Sequence, residues 1–298
     1  MNKVLKYIVD KKYRFLVNSD LGFYKSMDDE KYLRKKYEYT IGEKLNLDNP
    51  KTFNAKLQWL KLNDKRDIYT KMVDKYEVKE YVSSKIGEKY IVPTYGVWDS
   101  FDQINFDLLP DSFVLKCTHD SGGLVICRDK RSLDIEEARR KIEKCLKTNY
   151  FWLGREWPYK NVKPRIIAEK YLGDSDDAIN DYKIYAFNGH AKIMMINQDR
   201  GTHTKADYFD REFNELDFTW GYGHAEIKPQ KPLNFDQMFE LADLLSNGLP
   251  EIRVDFYEVN GAVYFGELTF YDGSGFDPIL PKKWDEYLGD FIKLPRKE

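Results

Sequence analysis

The sequence predicts an α+β fold in which antiparallel hairpins alternate with capped helices, and three observations carry that expectation. Residues Ile252 to Phe276 hold two registers. Ile252, Val254, Phe256, Tyr264, Leu268 and Phe270 are apolar, Arg253, Asp255, Glu267 and Thr269 are polar, and Asn260-Gly261 marks the turn. Phe113 to Cys127 reads as strand, small-residue loop, strand, and Asp181 to Arg200 as a strand pair turning at Asn188-Gly189. Helix signals flank these strands: Asp74 with Glu77 and a closing Gly87, and Asp134 with Glu137.

Length and composition set the outer bounds. A chain of 298 residues with 42% hydrophobic and 15% aromatic content has the material for a core of one or two domains. The net charge of -2 offers no basic field, which argues against a nucleic-acid partner. Cys117, Cys127 and Cys145 are the only cysteines and form no zinc-ligand spacing, as in a reduced intracellular protein. The first residues lack the apolar stretch of a signal peptide, and no run reaches the ~18 residues of a membrane span, so the expected location is cytoplasmic. Val4, Leu5, Ile8 and Val9 among Lys3, Lys6, Lys11 and Lys12 are expected to form an amphipathic helix that packs on the body of the protein. Resting on the inner face of a membrane is the alternative for that stretch.

Residues 1–65 have helix-like spacing, broken at Asn49-Pro50, with Thr52 or Asn54 as the cap of a helix through Ala55 to Leu62. The Asp74 cap makes Lys75 the first helical residue, with Val78, Val82 and Ile86 along one side. Lys116 lies in an otherwise apolar strand and needs a partner there. Ser121, Gly122 and Gly123 follow it as a flexible cradle of N–H groups for phosphate, and Asp120 caps that loop. Ile135, Ala138, Ile142, Cys145 and Leu146 form a buried helical stripe, so Cys145 is a core residue. The aromatic stretch from Asn149 to Arg165, around Arg155 and Glu156, suits either core packing or the wall of a sugar or acceptor pocket. Ile166 to Leu172 is an apolar strand with one acid, Glu169. Beyond it, Asp174-Ser175-Asp176 matches the Asp-x-Asp pair that holds a metal in nucleotide-sugar glycosyltransferases. Residues 201–232 read as irregular, and Asn234 with Gln237 as the cap of a helix through Leu245, ended by Gly248.

The loop length of the last hairpin decides what its polar face can do. A plain two-residue loop would send Asp255 and Glu267 to opposite faces. A three-residue loop, Val259 to Gly261, sets Arg253 opposite Glu267 with Asp255 diagonal on the same face, and this is the expected arrangement. Two carboxylates beside a guanidinium suit Mg²⁺ with a polyphosphate, against the competing reading of a surface ion pair.

The Arg-x-Asp, turn, Glu pattern of that hairpin resembles the metal-binding hairpin of ATP-grasp carboxylate–amine ligases. Together with WDSFD, KCTHDSGG, WLGREWPYKN and GELTF, the chain resembles the TupA-like ATP-grasp proteins of teichuronopeptide and surface-polysaccharide biosynthesis. The resemblance implies an ATP-grasp fold, with nucleotide between two antiparallel sheets and a helical N-terminal extension. The implied division is 1–65, 66–172 with the glycine-rich loop, and 173–298 with the metal hairpin. By the same resemblance, Lys75 and Lys116 reach the phosphates of ATP, and Ser121, Gly122 and Gly123 cover them. Glu169 lies at adenine and Asp176 or its neighbour Asp177 at ribose; Lys183, Arg200 and Arg253 serve catalysis; Asp255, Glu267 and Thr269 hold Mg²⁺. Thr269 stands where the family commonly has Asn, so the implied two-metal pattern is incomplete. The implied reaction activates a carboxylate, such as an amino acid, as an acyl phosphate for attack by an amine on a glycan precursor. A nucleotide-sugar glycosyltransferase and a non-catalytic nucleotide-binding protein are the two alternatives.

Overall fold

The computed structural model describes residues 2–120, 122–173, 181–198 and 204–296. Its first part is helical: α1 (Lys3–Val9), α2 (Lys11–Asp20), α3 (Asp29–Thr40), α4 (Phe53–Asn63), α5 (Ile68–Val73) and α6 (Val78–Ile86). Local chemistry starts four of these helices, because Asn2, Asp10, Asp28 and Thr52 each accept a first-turn amide. Asn54, the alternative cap for α4, is instead buried and donates its side chain to the Asp277 carbonyl at 3.0 Å.

The strands β1 (Thr94–Trp98), β2 (Phe113–Cys117), β3 (Leu124–Cys127) and β4 (Ile166–Lys170) form a sheet in the order β1-β4-β2-β3, every pair antiparallel. Helix α7 (Ile135–Leu146) covers it through Ala138 and Ile142, against Leu115, Cys117 and Ile166. The short α8 (Phe151–Gly154) leads into β4. A second antiparallel sheet follows, from β5 (Asp181–Phe187), β6 (His190–Gln198), β7 (Lys205–Phe209), β9 (Glu251–Val259) and β10 (Ala262–Thr269), in the order β10-β9-β5-β6-β7. Between β7 and β9 lie β8 (Thr219–Trp220) and α9 (Phe235–Ser246); β11 (Ile279–Leu280), which pairs with β8, and α10 (Lys283–Phe291) end the order. Helix α9 seals one face of the larger sheet, where Ile184, Val254 and Phe256 share its core with Phe239 and Leu245. The opposite face carries the polar register of β5, β9 and β10.

Several sequence expectations are corrected. Helix α6 begins at Val78, so Lys75 sits in the preceding turn, where Asp74 accepts the Tyr76 and Glu77 amides at 2.8 and 3.0 Å. Asn234 gives α9 no side-chain cap and donates instead to the Gly261 carbonyl at 3.0 Å. Strand β7 lies within the stretch expected to be irregular. Its alternation is masked by Asp207, which is fully buried because His224 and Lys228 reach its carboxylate at 3.0 and 2.8 Å. Ile135 of the α7 stripe is exposed, and so are all four apolar residues of α1, which does not pack them on the body.

The hairpin correction bears on the site. Ala262 pairs with Val259, so the loop is only Asn260-Gly261, with φ of 52° and 74° as a type I′ turn requires. The register is then shifted by a bulge at Gly266, which moves Glu267 opposite Asp255 and Thr269 opposite Arg253. The two carboxylates do share a face, as expected, but the extra residue is in the strand and not in the loop. Glycine suits the bulge because a Cβ there would stand 3.1 Å from the Asp255 carbonyl oxygen.

Candidate active site

Between the two sheets lies a cleft of about 190 Å³ whose walls include Lys75, Lys116, Gly123, Lys183, Asp255 and Glu267. Lys75 and Lys116, implied for the phosphates, and Lys183, implied for catalysis, thus meet in one cleft. Arg253 lies one step behind, lining two adjoining cavities that share Glu267 with the cleft. Each cation already has an anionic or carbonyl partner. Lys183 Nζ lies 2.6 Å from Asp181 Oδ2 and 2.5 Å from Asp255 Oδ2. Arg253 grips both Asp255 oxygens at 2.7 and 2.8 Å, reaches Glu267 Oε1 at 3.1 Å, and also pairs with Asp272. Lys75 stands 3.6 Å from Glu267 Oε2 and donates to the Asp120 carbonyl.

These pairings set the protonation states. Burial opposes ionisation of Glu267, but Lys75, then Arg253 and Lys183, outweigh it and draw the carboxyl down to about 2. Lys116 finds the partner its strand position required: Glu169 Oε2, at 2.6 Å. Lys79, which the sequence reading missed, holds the other Glu169 oxygen at 2.5 Å. Burial disfavours the Glu169 carboxylate, and these two lysines overcome it and lower its pKa. Lys75 and Lys79 are four residues apart across the start of α6, and that spacing was the available signal for Lys79.

The glycine-rich loop behaves differently from the open cradle expected of it. The Gly123 amide is spent on Asp120 Oδ1 at 3.2 Å, which confirms Asp120 as the loop cap. A Cβ on Gly123 would press to 2.8 Å on Cys145 Cβ, so this glycine permits packing of the loop onto α7. Around Gly122 there is open space. His119 is structural, its Nε2 lying 3.1 and 3.0 Å from the Cys145 and Thr148 carbonyls. Ser121, Asp174, Asp176, Asp177 and Arg200 lie outside the described residues.

The aromatic stretch divides between the core and the wall of a cavity. Arg155 is core: its guanidinium lies 4.4 Å from the Tyr32 ring centroid and 2.8 Å from Asp29. Tyr150, Glu156 and Tyr159 instead line a cavity of about 340 Å³ together with Arg253, Glu267 and Thr269. On the other side of Arg253 is a cavity of about 560 Å³, walled by Tyr208, Trp220 and Tyr222, with Asn197, Asp272 and Asp277.

Asp272 is the principal residue the sequence reading missed. It pairs with Arg253 and accepts the Tyr185 hydroxyl at 2.6 Å, in a loop where Tyr271, Gly273, Ser274 and Gly275 all have positive φ. Helix α4 braces this loop. Buried Lys61 donates to the Ser274 and Gly154 carbonyls at 2.6 and 2.8 Å, and Gln58 to the Gly275 carbonyl at 2.8 Å.

Below the loop, buried Glu251 opens β9. Burial first, then the nearby negative Asp272, push its carboxyl up to about 8. In the unfolded chain it ionises near 4.3, so its contribution to stability is complete below that pH and is lost as pH rises through about 8. Glu251→Gln, which mimics the protonated form, is expected to raise the melting temperature far more near pH 8 than near pH 5. Equal shifts at both pH values would rule out a protonated Glu251.

Among the described residues, Asp207, Glu215 and His224 bring three potential metal-ligating atoms together. Lys228 occupies that cluster, 2.8 Å from Asp207 and 2.5 Å from Glu215, so it reads as a loop clasp.

Comparison with solved structures gives similarity to D-alanine–D-alanine ligase from Bacillus anthracis in complex with ATP, at 16% identity and TM-score 0.38, over 67% of this chain and 55% of that one. Similarity to N5-carboxyaminoimidazole ribonucleotide synthetase in complex with ADP is at 16% identity and TM-score 0.43, over 72% and 50%. The chain thus spans about half the length of these proteins. The ligase PsnB, complexed with a minimal precursor, is similar at 11% identity and TM-score 0.40, over 79% and 67%. No curated protein matches. The model of the TupA-like ATP-grasp family matches residues 55–293, most of the chain and every described residue of the cleft, and the chain belongs to that family.

Proposed function

We propose that the protein is an ATP- and Mg²⁺-dependent carboxylate–amine ligase that forms an amide on a surface-glycopolymer precursor in the cytoplasm. The observation that carries this reading is the convergence of Lys75, Lys116 and Lys183 with Glu267 and Asp255 in one cleft between two sheets. Such a cleft suits a triphosphate, whose negative charge would replace carboxylates as the partner of the lysines. Family membership supports the nucleotide, and the motifs shared with TupA-like proteins support the pathway.

The donor set also suits Mg²⁺. Among the described residues Glu267 Oε2 pairs with Lys75 at 3.6 Å, and Thr269 Oγ1 lies 3.2 Å from Oε1; both are hard oxygens of the kind this metal takes. Glu267 would hold the ion with Thr269 and Asp255 beside it, and the metal would neutralise charge on the phosphates. In the reaction, a substrate carboxylate oxygen attacks the γ-phosphorus of ATP, ADP leaves, and an acyl phosphate forms. The amine then attacks the acyl carbon, phosphate departs, and the amine loses its proton. Arg253 and Lys183, both buried and oriented by Asp255, stabilise the charge that builds on the transferring oxygens.

The two cavities flanking Arg253 supply places for the two acceptor substrates. The aromatic cavity with Asp277 suits the amine. Asp277 makes no ion pair among the described residues, and desolvation followed by Asp272 raises its pKa, so an ammonium group would relieve it. The cavity shared by Lys75, Arg253 and Tyr159 suits the carboxylate.

Lys116→Ala tests the nucleotide part. It removes a phosphate contact and leaves buried Glu169 with one lysine in place of two, so ATP affinity is expected to fall by about 10- to 100-fold. Turnover at saturating ATP should change far less. Isothermal titration with ATP and Mg²⁺ gives the answer, and unchanged affinity would remove Lys116 from the nucleotide site.

A further inference from the structure

We propose that α1 is a membrane-surface helix that seats the protein on an anionic bilayer. Its amphipathicity is inverted relative to a helix that packs on its own protein. Val4, Leu5, Ile8 and Val9 are 66%, 52%, 62% and 60% exposed, and none of the helix is buried. They fall on one arc at helical spacing.

The side turned toward α2 is the polar one. The Tyr7 hydroxyl donates to Asn18 Oδ1 at 2.7 Å, Arg14 donates to the Ile8 carbonyl at 2.7 Å, and the Lys6 ammonium lies 4.7 Å from the Tyr13 ring centroid. These contacts fix the helix with its apolar arc outward, so the exposure is built into the fold. The same end of the molecule exposes Leu21 and Phe23, and the Phe23 amide returns to the Asn18 carbonyl at 3.0 Å.

Charge selects the occupant. Over residues 2–19, Lys3, Lys6, Lys11, Lys12 and Arg14 stand against one acid, Asp10, whose carboxylate is engaged with the Lys12 and Tyr13 amides at 2.9 and 3.0 Å, and Asp20 follows beside Leu21. An apolar strip bordered by lysines matches the boundary between acyl chains and anionic headgroups, with the apolar side chains inserted and the ammonium groups at phosphate level. Among the described residues no helix is long and apolar enough to cross a membrane, so this mode is peripheral. The inference does not depend on the ligase reading, because α1 lies outside the cleft.

The test is co-sedimentation of the full chain with vesicles of equal parts phosphatidylglycerol and phosphatidylcholine, and with phosphatidylcholine alone. The protein is expected to pellet with the anionic vesicles and to be released by salt. Leu5→Ser/Ile8→Ser should weaken binding by at least about tenfold, and Lys3→Gln/Lys6→Gln by roughly fivefold per lysine removed. Both variants should keep the wild-type melting temperature and ATP affinity. Failure of the wild-type chain to bind anionic vesicles, or wild-type binding by the serine variant, would overturn the proposal. So would a wild-type dimer that the serine variant converts to monomer, since the strip would then belong to a second copy.

Discussion

Glu267→Gln is expected to keep ATP affinity within about threefold while lowering acceptor-dependent ADP release by about 10²- to 10³-fold. The amide preserves shape and a carbonyl oxygen, so Thr269 and Arg253 keep an acceptor near 3.2 and 3.1 Å. What is lost is a full negative charge held at a pKa of about 2, hence present throughout the working pH range. That charge fixes the metal and balances Lys75, Arg253 and Lys183, and its loss bears on the phosphoryl-transfer step more than on nucleotide binding. In the same assay Asp174→Asn, outside the described residues, is expected to stay within about twofold of wild type. The opposite pattern, an active Glu267→Gln and a dead Asp174→Asn, would transfer the metal site to the Asp-x-Asp stretch and favour glycosyl transfer.

Lys61→Met is expected to be the most destabilising of the single substitutions considered, at about 3–5 kcal/mol, or a fall of roughly 10 °C in melting temperature. The side chain is 1% exposed, and its ammonium lies within hydrogen-bonding distance of four acceptors, Gln58 Oε1, the Gly154 carbonyl and both Ser274 oxygens. Burial lowers the Lys61 pKa and raises that of Glu156, and each charge offsets part of the other's cost. Removing the lysine leaves Glu156 without that cation and releases the left-handed loop that carries Asp272. Activity should therefore fall even where the protein remains folded. Lys61→Met/Glu156→Gln should recover most of the stability, because the uncompensated acid is gone. A double variant no more stable than the single one would contradict the pairing.

The elements legible in the sequence were those written locally. The Asp134 cap, the Asn188-Gly189 turn and the alternation of β9 depend on residues a few positions apart, and each lies where the pattern put it. The site was legible where a charge interrupts an apolar strand, since burial forces such a charge to find a partner; Lys116 with Glu169 is the clearest case. The bulge was not legible. A three-residue loop and a two-residue loop followed by Gly266 place Glu267 on the same face, and only the pairing of Ala262 with Val259 separates them. Asp272 and Lys61 escaped for a different reason. Their roles arise from contacts between α4 and the loop after β10, about 210 residues apart, with no periodicity to announce them.

Trapping of the acyl phosphate distinguishes a ligase from a glycosyltransferase. Protein, ATP, Mg²⁺ and hydroxylamine would be incubated with a panel of amino acids and uronic acids, and hydroxamate and ADP measured together. At least one carboxylate is expected to yield hydroxamate and ADP in equal amounts, both lost in Glu267→Gln. Release of UDP from a nucleotide-sugar, with no ATP-dependent hydroxamate from any carboxylate, would contradict the ligase reading.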